Sequence, residues 1–310
     1  MSTNRRDFLA TSLAAVLTAT FDRSALARAL LRPGQEPVFT PIRRDVGCFT
    51  MRGGTVGYLV NPGGVVVVDS QFPASARALI EGLNDRSGSR PVDFLINTHH
   101  HGDHTGGNVA FRGVARHVVA HAKAAEHMRR PPGGEPPADP LYPDTTFTER
   151  WSADIGDERV TATYHGRAHT SGDVVVTFER ANVVHMGDLV FNRRHPVVDR
   201  AAGATMRNWM TVLDRAARDH APDTVYIFGH ANTGVPVTGD HTDLARLRDY
   251  FGALLAFVEA QVRAGRSRDE ILALRDPLEG FEAYGRFGRP GPRDPLTCAY
   301  EEVMEEVAEA

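Results

Sequence analysis

Five side chains of the metal-ligand type fall within six positions of one segment, His99-His100-His101-Gly102-Asp103-His104. Imidazole nitrogens and carboxylate oxygens are the natural ligands of zinc and similar divalent ions. Where the chain is extended, residues two apart point the same way, so His99 and His101 can reach one ion together. His100 alternates to the opposite face and is expected not to be a ligand. A tight turn at Gly102 would let the chain reverse and carry Asp103 and His104 to a second ion. Gly106-Gly107 then allows close packing as the next helix begins.

The segment must be held by what precedes it. Apolar runs of strand length recur along the chain, each ending in turn residues: Val65 to Val68 before Asp69, Phe94 to Ile96 before Asn97-Thr98, Val174 to Val176, Val183-Val184 before Met186-Gly187-Asp188, and Val225 to Phe228 before Gly229-His230. Short β-branched runs of this kind read as buried strands. Helical spacing alternates with them. Ala76, Leu79, Ile80 and Leu83 fall at i, i+3, i+4, i+7, as do Met206, Trp209, Met210 and Leu213. A longer stripe runs from Leu244 through Leu247, Phe251, Leu254, Leu255 and Val258 to Val262. Asp240 suits its N-cap, and Ser267 with Glu270 suits a capping box for a following helix. The alternation predicts an α/β domain with buried sheets covered by helices. Between Pro131 and Phe147, six prolines and two glycines exclude a helix or a central strand and predict a long loop, either a lid over the site or a rigid surface connection.

The pattern of the histidine segment resembles the signature of the metallo-β-lactamase superfamily, and further family elements follow in order from about Val65 to His230. They are Asp69 in Val-Val-Asp-Ser, His169 in Ala-His-Thr-Ser-Gly-Asp, Asp188 in Gly-Asp-Leu and His230 in Phe-Gly-His. The resemblance implies a four-layer αββα sandwich with two divalent metal ions, most simply Zn2+, at one edge. It implies that His99, His101 and His169 hold the first ion, Asp103, His104 and His230 the second, and that Asp188 bridges them. Asp69 would orient a ligand histidine through its other ring nitrogen. His165, without the Thr-Ser-Gly-Asp context, is read as a neighbour. The activity implied is hydrolysis of a small ester, lactone, thioester or amide by hydroxide made available near neutral pH, with Asp103, which could orient that hydroxide, and the bridging Asp188 as the catalytic residues. Zinc β-lactamases with three histidines at the first site carry cysteine where this chain has Asp188, and a lysine shortly after; neither is present. An iron-loaded redox enzyme on the same ligands and a non-catalytic metal-binding protein are the alternatives.

The chain has 310 residues and a formal net charge of -4, with no basic run outside its N-terminus, which leaves no nucleic-acid footprint; the partner implied by the resemblance is a small-molecule substrate. The N-terminal Asn4-Arg5-Arg6-Asp7-Phe8-Leu9 resembles a twin-arginine export signal. An uncharged stretch from Phe8 to Phe21 follows, too short to span a bilayer, and Ala25-Leu26-Ala27 supplies a small-x-small cleavage pattern. The expectation is a signal over residues 1–27, a hydrolase domain with a helical C-terminal extension over 28–310, and a periplasmic protein with no stable membrane anchor. Cys48 and Cys298 could pair in that compartment, although a chain this long folds without a staple.

Overall fold

Two β-sheets face each other, and each carries helices on its outer face. The structure is a computed structural model that describes residues 36–309 except Gly133 and Pro136. The export signal expected over residues 1–27 lies outside the described residues.

The first sheet has seven strands in sequential order: β1 (Val38–Arg43), β2 (Val46–Thr50), β3 (Val56–Asn61), β4 (Gly64–Val68), β5 (Val92–Asn97), β6 (Ala115–His121) and β7 (Thr145–Phe147). The β1 to β4 neighbours are antiparallel; β4 to β7 are parallel. Parallel neighbours need crossovers, and helices supply them. Helix α1 (Pro73–Ser87) joins β4 to β5, with proline in its first turn, where no N–H is missed, and Gly88 closing it at φ 68°. A single turn, α2 (Gly102–Thr105), leads into a 3-10 helix (Gly106–Phe111) before β6, and α3 (Ala122–Arg129) follows β6.

The second sheet has the order β15-β13-β11-β10-β9-β8. Its strands are β8 (Arg150–Ile155), β9 (Glu158–Thr163), β10 (Val175–Phe178), β11 (Val183–His185), β13 (Val225–Ile227) and β15 (Thr238–Gly239). A two-stranded ribbon, β12 (Phe191–Asn192) with β14 (His230–Ala231), stands at its end. Helix α4 (Met206–Asp219) crosses from β11 to β13. Then come α5 (His241–Arg263), α6 (Arg268–Leu272) and α7 (Pro295–Glu309). Asp240 is the expected N-cap, and its cap extends to a capping box with Asp243; the expected capping box of Ser267 with Glu270 also forms.

The layers follow from the period of two along each strand. Val65 and Val67 point at α1, meeting Ala76, Leu79 and Leu83. Val66 and Val68 point the other way and meet Val160, Ala162, Val174, Val176 and Phe178 between the sheets. Beyond the second sheet, Val184 and Tyr226 pack with Trp209, Leu213, Leu247, Phe251 and Leu254 of α4 and α5. The result is the expected αββα sandwich.

Three expectations need refinement. The Gly102 turn is a helical turn, because His104 N and Thr105 N both close onto His101 O. The long loop after Pro131 ends in β7, which among the described residues pairs with β6 alone; all six prolines precede it, so its N–H groups are free to pair. The two cysteines are free thiols: Cys48 lies between the sheets and Cys298 under α5, in different cores. Burial raises both thiols, Cys48 to about 11 and Cys298 to about 12.

Candidate metal centre

The candidate ligands sit where strands end. His99 and His101 follow β5, Asp188 follows β11, and His230 follows β13. His169 comes from the loop between β9 and β10. The turn at α2 keeps His99 and His101 on one side and swings Asp103 and His104 toward His230. Two groups result, His99-His101-His169-Asp188 and Asp103-His104-His230, with the potential ligand atoms of each within 4.8 Å of one another. Asp188 lies between them. Its Oδ1 is 2.8 Å from His104 Nε2 and 3.4 Å from His230 Nε2. Its Oδ2 is 3.6 Å from His169 Nε2 and 3.9 Å from His99 Nε2. His230 Nε2 is 3.1 Å from Asp103 Oδ2.

The hydrogen bonds behind the rings determine which nitrogens carry lone pairs inward. His169 Nδ1 donates to Val197 O at 2.8 Å, and His101 Nε2 donates to Asp199 Oδ2 at 2.7 Å. His104 Nδ1 donates to Asp69 Oδ2 at 2.7 Å. Thr98 Oγ1 donates to the same Asp69 oxygen, at 2.7 Å, so at 3.0 Å it accepts from His99 Nδ1. In neutral rings the inward nitrogens are therefore lone pairs. His169 Nε2 and His101 Nδ1 face each other at 2.9 Å with no proton left to share. His99 Nε2 is buried without a hydrogen-bond partner, 3.9 Å from Asp188 Oδ2. Facing acceptors and orphaned buried atoms are unfavourable unless a cation stands among them, so the donor set fits divalent metal.

The charges agree. Burial, with the neighbouring imidazoles, pushes His169 down to about 3 and His99 well below the usual range, so both are neutral. Burial also opposes protonation of His104 and His230. There the charge of Asp188 outweighs it, helped by Asp69 at His104 and Asp103 at His230. His104 is raised well above its ordinary value and His230 to about 9, so the second group carries protons that a metal has to displace.

Backbone economy makes the approach possible. Asp69 adopts φ 66°, a left-handed conformation that aspartate tolerates better than most residues, and both its oxygens turn back under Thr98 and His104. A Cβ on Gly54 would stand 2.2 Å from His104 Nε2, and one on Gly229 2.1 Å from Asp188 Oδ1. Phe191, paired with His230 across the ribbon, stacks on that ring at 5.2 Å.

His100 belongs to neither group. Its ring lies against His127 and lines a separate cavity. With His101 and Asp199 it forms a third cluster of ligand-type atoms. That cluster already holds a cation, since Arg293 Nη2 lies 2.9 Å from the Asp199 oxygen bonded to His101. His165 faces Asp219 at 3.8 Å, away from the centre. Sequence reasoning missed Thr98, Asp199, Arg194 and Arg293. Arg194 and Arg293 line the cavity of about 220 Å³ over the centre, together with His101, Asp103, Asp188 and His230. None has a motif around it, and Arg293 is nearly a hundred residues from Asp199 and nearly two hundred from His101, the candidate ligand behind it.

Residues 50–246 match the family described as the metallo-beta-lactamase superfamily. Among curated proteins, the alpha subunit of 2,4-dinitroanisole O-demethylase from Nocardioides sp. (strain JS1661) is 33% identical over 50% of this chain and 48% of its own. A type 2 metallo-beta-lactamase from Bacillus sp. (strain 170) is 26% identical over 55% of this chain and 64% of its own. The chain thus spans about half to two-thirds of the length of these relatives. Among solved structures, the metallo-beta-lactamase from Pontibacter korlensis superposes with a TM-score of 0.57 at 22% identity, covering 69% of this chain and 98% of that one. The metallo-beta-lactamase from Hirschia baltica gives 0.55 at 16% identity, over 69% and 96%. Those two likenesses concern the fold alone, while the family match covers well over half of the sequence: this chain belongs to the metallo-beta-lactamase superfamily.

Proposed function

We propose that the protein is a dinuclear metal-dependent hydrolase of a small ester, lactone, thioester or amide, exported to the periplasm. The observation that carries the reaction is the placement of Asp188, one oxygen toward His104 and His230 and the other toward His99 and His169. His99, His101, His169 and Asp188 would hold one ion, and Asp103, His104, His230 and Asp188 the other. Two bound divalent ions, most simply zinc, would supply Lewis acidity and lower the pKa of water toward neutrality.

The chain's own residues do the rest. Asp188 is 4% exposed and shielded from solvent, so its charge serves the centre. Asp103 is 32% exposed, faces the open cavity, and is kept below its ordinary carboxyl value because the His230 hydrogen bond and the His104 charge outweigh burial. As an anion it accepts a proton or hydrogen bond from an attacking water at its carboxylate oxygen. Arg194 and Arg293 at the same cavity favour substrates or products that carry negative charge.

The test is metal content and turnover together. Purified protein loaded with zinc, manganese or iron is assayed on a panel of esters, lactones, thioesters and amides, with a methyl aryl ether added because of the O-demethylase relative. About two ions per chain with hydrolysis of a panel member supports the reading; iron with visible absorption and oxygen consumption replaces it with redox chemistry. Carbapenem turnover is expected to be weak because aspartate stands at position 188, and a kcat/KM of roughly 10⁶ M⁻¹s⁻¹ or more would refute that. Export rests on the Arg5-Arg6 pattern and Ala25-Leu26-Ala27. Replacing both arginines by lysine should leave the precursor in the cytoplasm; unchanged export would remove the twin-arginine assignment.

A further inference from the structure

A cavity of about 520 Å³ adjoins the smaller one over the metal centre, and His101, Gly102 and Arg293 line both. Its walls come from α3, from the residues around α2, and from the segment after Pro131 that sequence reading left open between lid and connection. The lining is mostly apolar, with Met128, Leu141 and Tyr142 among it. A volume of this size, apolar walls and a few polar groups are the ordinary features of a small-molecule pocket.

The polar groups are particular. His100 lines the cavity and is 8% exposed, yet its Nδ1 has no hydrogen-bond partner. Such an orphaned buried nitrogen costs stability unless something meets it. No metal ligation explains it, because Arg293 already supplies the positive charge at the Asp199 cluster. His127 stands beside it, ring centroids 4.8 Å apart, and bonds to Ser171 Oγ at 2.8 Å.

We propose that this cavity receives one half of the substrate, and that this half is an apolar, ring-sized group, any hydrogen-bonding atom it carries meeting His100 Nδ1. The proposal rests on the hydrolase reading for what happens at the neighbouring centre, but the pocket itself does not need turnover to be detected. Ring-bearing esters such as benzyl esters fit both cavities at once, with the reacting carbonyl beside His101 and the ring against Met128 and Leu141. Small aliphatic esters would leave the larger cavity unfilled and gain none of its burial, at roughly 25 cal/mol per Å² of apolar surface.

The experiment uses the full-length, metal-loaded protein and 4-fluorobenzyl alcohol, with binding followed by ¹⁹F NMR. Saturable binding is expected for the unaltered protein. Filling the pocket by Leu141→Trp, or independently from α3 by Met128→Trp, should weaken it at least tenfold, and His100→Phe should weaken it several-fold. Circular dichroism and metal content identify a variant that has merely misfolded, in which case the other variant decides. In parallel, benzyl acetate should be preferred over methyl acetate in kcat/KM, and Leu141→Trp should lower that preference tenfold. Absence of saturable binding, or binding unaffected in a folded filled variant, overturns the pocket. Binding of the alcohol that responds to filling, with no ester turned over, leaves the pocket standing and removes the hydrolase reading instead.

Discussion

At the scale of single residues, the centre is a set of tautomers held from behind. Four of the candidate ligand rings are held through the nitrogen that faces away from the centre, which in the neutral ring leaves the inward nitrogen a lone pair; the acceptors are Asp69 for His104, Asp199 for His101, Val197 for His169 and Thr98 for His99. An open-sided site depends on every such support. His101→Ala and Asp188→Ala are therefore expected to lose metal and activity together, measured by elemental analysis of the purified variants. Asp69→Ala should lower metal affinity roughly 10- to 100-fold, since it removes the acceptor for His104 and for Thr98. His100→Ala should retain metal, because its ring lies in the neighbouring cavity; metal loss as severe as in His101→Ala would redraw the ligand set. The ligand candidates were legible in the sequence because extended chain alternates and because the ligand types cluster in six positions. The tautomer supports were not. Thr98 is an ordinary threonine until Asp69, 29 positions earlier, turns under it, and Val197 acts through a backbone oxygen that no sequence pattern marks.

At the scale of elements, three strand ends deliver candidate ligands, and chain beyond the family match braces the stretch that holds two of the candidate rings. Residues 197–199 hold the outer nitrogens of His169 and His101. That stretch is clamped in turn by the chain leading into α7. Val198 N donates to Arg293 O at 3.1 Å, the Arg293 guanidinium reaches Asp199, and Cys298 Sγ donates to Val198 O at 3.5 Å. The C-terminal extension is thus a buttress for the first group of candidate ligands, which its sequence, read as a helical extension, did not disclose. Arg293→Ala should loosen the ion held by His99, His101 and His169 while sparing the other. Competitive chelation should then resolve one weakened site per chain, with Arg293→Lys restoring part of the affinity. Equal weakening of both sites, or of neither, would refute the buttress. The strands and helices themselves were legible because β-branched runs and apolar stripes have different periods; the single turn α2 was too short to show a period at all.

At the scale of the whole molecule, stability rests on three stacked cores: α1 on the first sheet, sheet on sheet, and the second sheet on α4, α5 and α7. The free thiols lie in separate cores, so oxidising conditions should not tie them together. Into this apolar frame the fold sets one carboxylate that the sequence did not single out as costly. Asp173 is 4% exposed and accepts from Thr170 N and Thr170 Oγ1, each at 2.7 Å. Burial outweighs those bonds and raises its carboxyl to about 7. A folded-state value above the unfolded one means that the native protein binds the proton more tightly. Its contribution to stability is complete below the unfolded value of about 4, shrinks as the unfolded chain ionises, and is gone once pH passes about 7. A shift of this size corresponds to at most about 4 kcal/mol. Metal-free protein should therefore lose stability to urea between about pH 4 and pH 7 through this group, and Asp173→Asn should remove that component of the slope. Comparing the two proteins pH by pH cancels the histidines common to both. If their unfolding free energies change in parallel across the window, Asp173 is ionised in the native state, and its two threonine hydrogen bonds, not its burial, set its charge.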